Sequence, residues 1–164
     1  MKPHPKTLIK NPIHFISLGF GTGLAPKAPG TFGTLVGIPA VLLFAPLGVQ
    51  AYLGIVVMFS LLGIYFCQQT GTALGQSDHG AIVWDEIVGY MIAMIAIPVA
   101  WQTLLLAFLL FRFFDIRKPW PIKWFDQKVK GGLGVMLDDV LAGLATLVIM
   151  HALLKADKLP GVIA

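Results

Sequence analysis

The sequence predicts an all-α integral membrane protein, a helical bundle of about four or five apolar helices, some of them short or re-entrant. It is 57% hydrophobic and 12% charged, whereas a soluble domain carries about 25% charged residues. Residues 28–77, 87–111 and 140–154 contain no Lys, Arg, Asp or Glu. Because apolar stretches of about 18 residues or more are candidates to cross a bilayer, we expect several spans. The alternative is a soluble but very apolar helical bundle.

Proline and glycine divide the first uncharged run into two predicted helices. Thr31 follows a Pro-Gly pair and is the expected N-cap of a helix over residues 31–46. Pro46 ends that helix, and a second is expected over residues 49–67. A polar loop rich in Gly, Gln and Ser follows over residues 68–80.

The second half of the chain predicts three more helices. The first covers residues 82–97 and ends before Pro98, and the next covers residues 101–114. Residues 115–134 are basic and rich in Pro, Trp and Gly, which predicts a loop at the membrane interface. The last helix is expected over residues 135–154.

We expect one membrane-embedded domain over residues 1–164, with residues 1–13 as a flexible cytoplasmic N-terminus. The apolar stretch 13–18 is too short for a signal peptide. Cys67 is the only cysteine, which excludes an intramolecular disulfide and a cysteine metal cluster.

Basic residues are concentrated before the first uncharged run and between residues 112 and 130. Such clusters favour the cytoplasmic side and anionic lipid head groups. Residues 31–67 and 85–111 then enter the membrane and return as hairpins. Helices of about 14–16 residues cover only about 21–24 Å of a hydrocarbon layer about 30 Å thick, which favours re-entrant segments or local thinning. A chain this apolar is not expected to bind nucleic acid.

Half of the eight acidic residues form two adjacent pairs, Asp85-Glu86 and Asp138-Asp139, at the edges of apolar runs. Neighbouring carboxylates repel and raise one another's pKa, and a cation between them removes that cost. The pairs therefore predict a metal site at a membrane surface. The alternative for Asp138-Asp139 is a first-turn pair that complements a helix dipole.

Further charged residues are expected on the same face. Asp78 lies two helical turns before Asp85, and Arg112, Asp115 and Lys118 recur every three residues along one helical face. Arg suits bidentate contact with phosphate and Lys supplies a point charge. The alternative is a salt bridge at a helix end combined with interfacial anchoring.

The segment 19–31 is rich in glycine and proline and leads into a predicted helix N-terminus, where backbone N–H groups favour an anion. Lys27 within it either pairs with a phosphate or anchors the chain at the interface. Leu24 stands where a dinucleotide-binding fingerprint needs its third glycine. Ala73 stands where a thiol phosphatase built on Cys67 would need Arg.

Four segments, taken together and in order, resemble the phosphatidylglycerophosphatase A family. They are GFGTGLAPKAPGTFGT (19–34), DHGAIVWDEIVGY (78–90), FRFFDIRKPWPIKWFD (111–126) and GGLGVMLDDVLAG (131–143). The resemblance covers roughly residues 14–144 with no departure at the charged positions. It implies an all-α, Mg²⁺-dependent, bacterial inner-membrane enzyme that converts phosphatidylglycerophosphate to phosphatidylglycerol and inorganic phosphate.

The residues and the resemblance together lead to a hypothesis for the site, which faces the cytoplasm. The expected Mg²⁺ ligands are Asp85, Glu86, Asp138 and Asp139. The expected phosphate-binding residues are Lys27, Thr31, Arg112 and Lys118. Asp78 or Asp115 is the expected base or nucleophile.

Two other functions stay open at this point. One is a lipid phosphatase of broader phosphomonoester specificity. The other is a small non-enzymatic transport or assembly subunit, in which the acids line an ion path at graded depths. For a phosphatidylglycerophosphate phosphatase, the expected partners are the phospholipid substrate and membrane lipids, with no obligatory protein partner.

Overall fold

A computed structural model describes residues 4–159 of the chain, and within that range every regular element is helical. The α-helices are α1 Pro5–Leu8, α2 Pro12–Ser17, α3 Pro29–Phe44, α4 Val49–Leu74, α5 Trp84–Ala93, α6 Trp101–Arg117, α7 Ile122–Lys128 and α8 Gly131–Lys155. Short 3₁₀ segments cover Gly19–Leu24 and Ala45–Leu47. The predicted all-α class is confirmed.

Three segments of the described chain are long and apolar enough to cross a membrane: Pro29–Leu47, Val49–Leu74 and Gly131–Lys155. Their outward faces carry large apolar side chains such as Leu43, Leu61 and Val148, each more than 60% exposed. Lipid tails suit these faces, whereas in water so many exposed apolar groups would favour aggregation. The prediction of a helical membrane bundle is confirmed, although α4 and α8 are longer than expected.

The short helix α5 forms the centre of the bundle and is buried along nearly its whole length. It packs against α3, α4, α6 and α8. Glycines permit this close packing: the backbone at Gly33 and Gly37 of α3 lies directly against Val83 and Tyr90. Added side chains at these glycines would overlap their neighbours, so α3 can approach α5 only because they are glycines.

Hydrogen bonds from aromatic side chains fix α5 within the bundle. The Tyr52 hydroxyl of α4 donates to the carbonyl of Met91 at 2.9 Å, which gives this carbonyl near the end of α5 a second donor besides the Met94 N–H. The Trp84 indole N–H donates to the carbonyl of Phe59 at 3.1 Å. Both ends of α5 are thereby tied to α4.

Two helices begin earlier than the sequence predicts. The helix α3 begins at Pro29 after Ala28, whose φ of 48° is left-handed, so Thr31 lies inside the first turn and the N-cap prediction is wrong. The helix α8 begins at Gly131, about two turns before Asp138. Since the helix dipole acts mainly within the first turn, it does not explain the Asp138-Asp139 pair.

Two segments predicted as loops contain helix, and polar side chains in the first of them form hydrogen bonds with distant residues. The helix α4 continues to Leu74, where Thr70 hydrogen-bonds His14 at 2.9 Å and Gln68 accepts from the N–H of Gly132 at 2.8 Å. The predicted interfacial loop 115–134 contains α7 and the start of α8. The polar residues after Cys67 therefore led to a predicted end of α4 that is too early.

Candidate metal and phosphate site

Three carboxylates meet where the first turn of α5 faces α8. Asp85, Glu86 and Asp139 each place one oxygen within 4.8 Å of the other two. Asp85 is 8% exposed and Asp139 is 3% exposed. Gly89 of α5 allows this approach, because its missing side chain leaves room for the backbone carbonyl of Asp139. We call these three residues the carboxylate triad.

The carboxylate triad fits a divalent cation. One oxygen of each member (Asp85 Oδ1, Glu86 Oε2 and Asp139 Oδ2) is buried and accepts no hydrogen bond within the described chain. Burial, together with the charge of Glu86, raises the pKa of Asp85 well above its ordinary value, and burial and the charge of Asp139 raise the pKa of Glu86 to about 8. A cation would remove this repulsion, and oxygen ligands of this kind suit Mg²⁺.

A basic residue and a further acid of α6 border the carboxylate triad. Arg112 donates a hydrogen bond to Asp115, and its Nη1 atom lies 4.0 Å from Glu86 Oε1. The Asp115 side chain is 14% exposed. The Nε–H of Arg112 is buried without an acceptor in the described structure, so this guanidinium retains a donor for an anion.

Asp138 is not one of the three grouped carboxylates and contacts a second cluster, although its Oδ1, like one oxygen of each triad member, is buried without a hydrogen-bond partner in the described structure. Lys118 donates to Asp126 at 2.8 Å and also to Asp138. Successive helical residues point about 100° apart, so Asp138 and Asp139 face different neighbours. The predicted metal-binding role of Asp138 stays a prediction, since its carboxylate lies outside the triad and carries an ion pair.

Lys118 remains a cation in this setting. Burial alone would lower its pKa, but hydrogen bonds and charges from Asp126 and Asp138 raise it above the ordinary value. The result is a fixed positive charge beside the acids, as a phosphate-binding role requires.

In the described structure, no hydrogen bond or ion pair joins the other three predicted site residues to the triad. Asp78 is exposed and lines a cleft of about 140 Å³ together with Asp126 and Asp138. Lys27 is exposed and forms no ion pair with another described residue. Thr31 is partly buried, and its N–H donates to the carbonyl of Ala28 at 3.0 Å.

Sequence reasoning missed two contributors to the site. Gly30, at the start of α3, lies directly against the Glu86 carboxylate and next to Arg112, so the 19–31 segment reaches the triad through its backbone. Asp126 of α7 binds Lys118, which follows the end of α6, so no spacing within one helix predicts the pair. The Pro-Gly pair before the predicted helix could have indicated the role of Gly30. The pairing of Asp126 with Lys118 depends on the fold of residues 118–126 and could not be predicted from the sequence.

The amino-acid sequence of the chain is similar to proteins of one known family. A family profile described as Phosphatidylglycerophosphatase A matches residues 15–154. A Haemophilus influenzae protein named Phosphatidylglycerophosphatase A is 49% identical over 92% of this chain and 94% of its own length. The Escherichia coli protein of that name is 44% identical over 87% of this chain and 84% of its own.

A third relative carries a different name. A Bacteroides thetaiotaomicron protein provisionally named phosphatidylinositol-3-phosphatase is 38% identical over 82% of this chain and 89% of its own. No solved structure gives a significant match. On the family match and the two more similar relatives, this chain belongs to the phosphatidylglycerophosphatase A family of phosphatases.

Proposed function

We propose that this protein hydrolyses phosphatidylglycerophosphate to phosphatidylglycerol and inorganic phosphate, and that it needs Mg²⁺. The observation that carries the proposal is the carboxylate triad, in which Asp85 and Asp139 are buried, Glu86 is partly buried and one oxygen of each accepts no hydrogen bond in the described structure. Arg112 lies beside it. The names of its two more similar relatives supply the substrate.

In this proposal Asp85, Glu86 and Asp139 hold the metal. A bound Mg²⁺ would polarise the phosphoryl oxygens and lower the pKa of a water molecule. The helix packing at Gly89 fixes the distance between α5 and α8, so the three ligands are positioned before any ion binds. The site needs little reorganisation as a result.

The basic residues bind the phosphate that leaves the lipid. Arg112, which has an unused Nε–H, and Lys118 counter the charge on the phosphoryl oxygens as the bond to the glycerol oxygen breaks. Thr31 sits one residue after Gly30, beside the site. Lys27 is free to contact the outer part of the head group.

A base or nucleophile completes the reaction, with Asp115 or Asp78 in that role. Position favours Asp115, whose side chain is 14% exposed and pairs with Arg112 beside the triad, whereas Asp78 lies in an exposed loop. As a base it would take a proton from the attacking water. As a nucleophile it would accept the phosphoryl group as phosphatidylglycerol leaves, and water would then hydrolyse the aspartyl phosphate to inorganic phosphate.

We also propose a location in the bacterial inner membrane, with the site facing the cytoplasm. The hairpin turns at residues 45–48 and 94–100, at the end of the bundle away from the triad, carry no charge. The Lys- and Arg-rich segment 112–130 lies at the same end as the triad, which favours the cytoplasmic side for that end.

The test is a head-group series. The purified protein in mixed micelles is given phosphatidylglycerophosphate, phosphatidic acid and phosphatidylinositol 3-phosphate at equal chain length and equal Mg²⁺. We expect phosphate release mainly from the first. Equal kcat/KM on all three would replace the proposal with a broader lipid phosphatase, which the name of the third relative makes the second candidate.

A further inference from the structure

The helix α7 has two faces of different chemistry. Its inner face, which packs on α8, consists of the buried Ile122 and the partly buried Phe125 and Asp126. Its exposed positions are Lys123, Trp124, Gln127 and Lys128. Since neighbouring helical positions lie about 100° apart, these four fall within one arc of about 140° and form a continuous outer face.

The outer face carries positive charge that the described chain does not neutralise. Lys123 and Lys128 form no ion pair with another described residue. Asp126 is the only acid between residues 116 and 137, and its carboxylate pairs with Lys118. Both lysines of the outer face are therefore available to an anion outside the chain.

Two exposed tryptophans add an apolar surface beside these lysines. Trp120, just before α7, is 83% exposed, and Trp124 is 50% exposed. Together with Pro121 and Phe125 they line a hollow of about 350 Å³, and all four lining side chains are aromatic or apolar. Neither indole N–H donates a hydrogen bond to another described residue. An indole with a free N–H and an apolar ring suits the boundary between hydrocarbon and head groups.

Contacts with α8 place α7 at the membrane boundary. Lys118 binds both Asp126 of α7 and Asp138 of α8, so α7 lies beside the part of α8 that contains Asp138. The uncharged run 140–154 begins two residues later, and α8 is one of the segments able to cross a membrane. The helix α7 therefore lies where α8 enters the hydrocarbon layer, at the depth of the phospholipid head groups.

We infer that the outer face of α7, together with Trp120, binds anionic phospholipids of the surrounding bilayer. The unpaired lysines complement anionic head groups, and the apolar hollow between the indole rings takes the upper part of an acyl chain. A helix with Lys and Trp on one side lies along a membrane surface. An acidic protein would meet the same charges, but the bilayer already occupies this depth. The inference concerns lipid that is not being hydrolysed and does not depend on the proposed function.

The test places a fluorescent label on the outer face through Gln127→Cys, while Cys67 is buried and stays unreactive. The labelled protein is reconstituted in phosphatidylcholine nanodiscs with a small, equal fraction of nitroxide-bearing phosphatidylserine or phosphatidylcholine. Phosphatidylserine is anionic and is neither substrate nor product of the proposed reaction. We expect it to quench the label several-fold more strongly, because each lysine near the surface enriches an anionic lipid about fivefold. High salt should weaken this preference.

The variant Lys123→Gln/Lys128→Gln removes the two charges of the outer face, and the preference of the labelled protein for phosphatidylserine should then be nearly lost. Its matched control is Lys155→Gln/Lys158→Gln, which removes the same charge from exposed positions near the other end of α8. The control should keep the preference of the unaltered labelled protein.

The tryptophans have a test of their own in the same nanodiscs. Trp120→Ala/Trp124→Ala should lower quenching by both nitroxide lipids about twofold or more, because the rings no longer hold α7 at the hydrocarbon boundary. Trp101→Ala is the control, since Trp101 is 71% exposed at the start of α6, and it should leave quenching unchanged.

Equal quenching by the two lipids without any further substitution overturns the inference. A preference that survives in Lys123→Gln/Lys128→Gln, or that falls equally in its control, overturns it as well. Weak quenching by both lipids would place the outer face in water or against a protein, which also contradicts the inference. Because phosphate release is not measured, each of these failures leaves the proposed function intact.

Discussion

At the residue scale, the adjacent acids Asp138 and Asp139 have separate environments. Asp139 joins Asp85 and Glu86, and Asp138 forms an ion pair with Lys118. The helical rotation of about 100° between neighbours produces this separation. One acid is thus available to a cation and the other holds a basic side chain beside it.

Asp139→Asn is expected to abolish Mg²⁺-dependent phosphate release. The amide keeps the shape of the side chain but removes the charge that holds the cation, and loss of several kcal/mol of transition-state stabilisation corresponds to about a thousandfold or more in rate. Phosphate release from phosphatidylglycerophosphate is the measurement. Asp157→Asn, an exposed acid at the other end of α8, should be inert.

The folded state of Asp139→Asn is checked by thermal unfolding in detergent with a chelator present. The melting temperature should be unchanged or higher, because one of three repelling buried acids has been neutralised. Near-normal turnover of well-folded Asp139→Asn would remove Asp139 from the set of ligands.

Lys118→Ala is expected to raise KM for the phospholipid roughly tenfold or more, since a hydrogen bond between charged groups contributes about 1.5–3 kcal/mol. Lys123→Ala is the matched control, because Lys123 is exposed in the same basic segment. If both variants leave KM unchanged, Lys118 serves only the ion pairs and the orientation of the protein in the membrane.

At the element scale, the close approach of α5 and α8 determines the site. Gly89→Ala places a methyl group 2.6 Å from the Phe111 ring of α6 and 2.8 Å from the carbonyl of Asp139 in α8. We expect the helices to move apart, with a loss of about 1–3 kcal/mol in the free energy of unfolding and weaker Mg²⁺ binding. Thermal unfolding across a Mg²⁺ titration measures both quantities.

Gly54→Ala is the control for that experiment. Gly54 lies in α4 with open space around it, so alanine there should raise stability by up to about 1 kcal/mol through helix propensity. Equal behaviour of the two variants would show that the α5–α8 contact has no special role.

The pKa of Glu86 gives a pH dependence to the stability of the metal-free protein. Its value in the fold is about 8 and its ordinary value is 4.5. Between these values the folded state holds a proton that the unfolded chain has released, so stability should fall as pH rises through that window. Thermal unfolding with a chelator, from about pH 5 to pH 9, measures this.

Two controls accompany the pH series. Mg²⁺ should restore stability most strongly at high pH, where the carboxylates are ionised and free to bind it. Glu86→Gln should flatten the metal-free curve. Stability that rises with pH in the metal-free wild type would contradict the assigned environment of Glu86.

The sequence predicts long helices better than it predicts their ends. The helix over Trp101–Arg117 begins at the expected residue because Pro98 precedes it. The end of α4 was missed because its last turns contain Gln68 and Thr70, whose partners come from distant parts of the chain. Likewise, the sequence shows the two acidic pairs. That Asp138 and Asp139 contact different groups depends on where the fold places α5 and Lys118.

At the scale of the whole molecule, the helices place most of their charged residues at the end with the triad and the two uncharged turns at the other end, where the end of α8 adds Lys155, Asp157 and Lys158. This arrangement suits an enzyme with one polar face. An ion conduit would instead need acids at graded depths through the membrane. The depth of charged positions therefore separates the two functional classes.

Cysteine labelling in intact bacterial cells tests the orientation. Asp78→Cys and Gln127→Cys lie at the end that carries the triad, and Val99→Cys lies in the opposite turn, all at exposed positions. A membrane-impermeant thiol reagent should label only Val99→Cys until the membrane is permeabilised. Labelling of Asp78→Cys from outside would contradict the cytoplasmic orientation, and buried Cys67 serves as the unreactive background.

The central claim is that the carboxylate triad makes this protein a Mg²⁺-dependent lipid phosphatase. Its most direct test is phosphate release from phosphatidylglycerophosphate by the purified wild type, first with a chelator and then after Mg²⁺ is restored. We predict release at background without the metal and full recovery on its return. Full turnover in the chelator, or no release with Mg²⁺ present, would contradict the account.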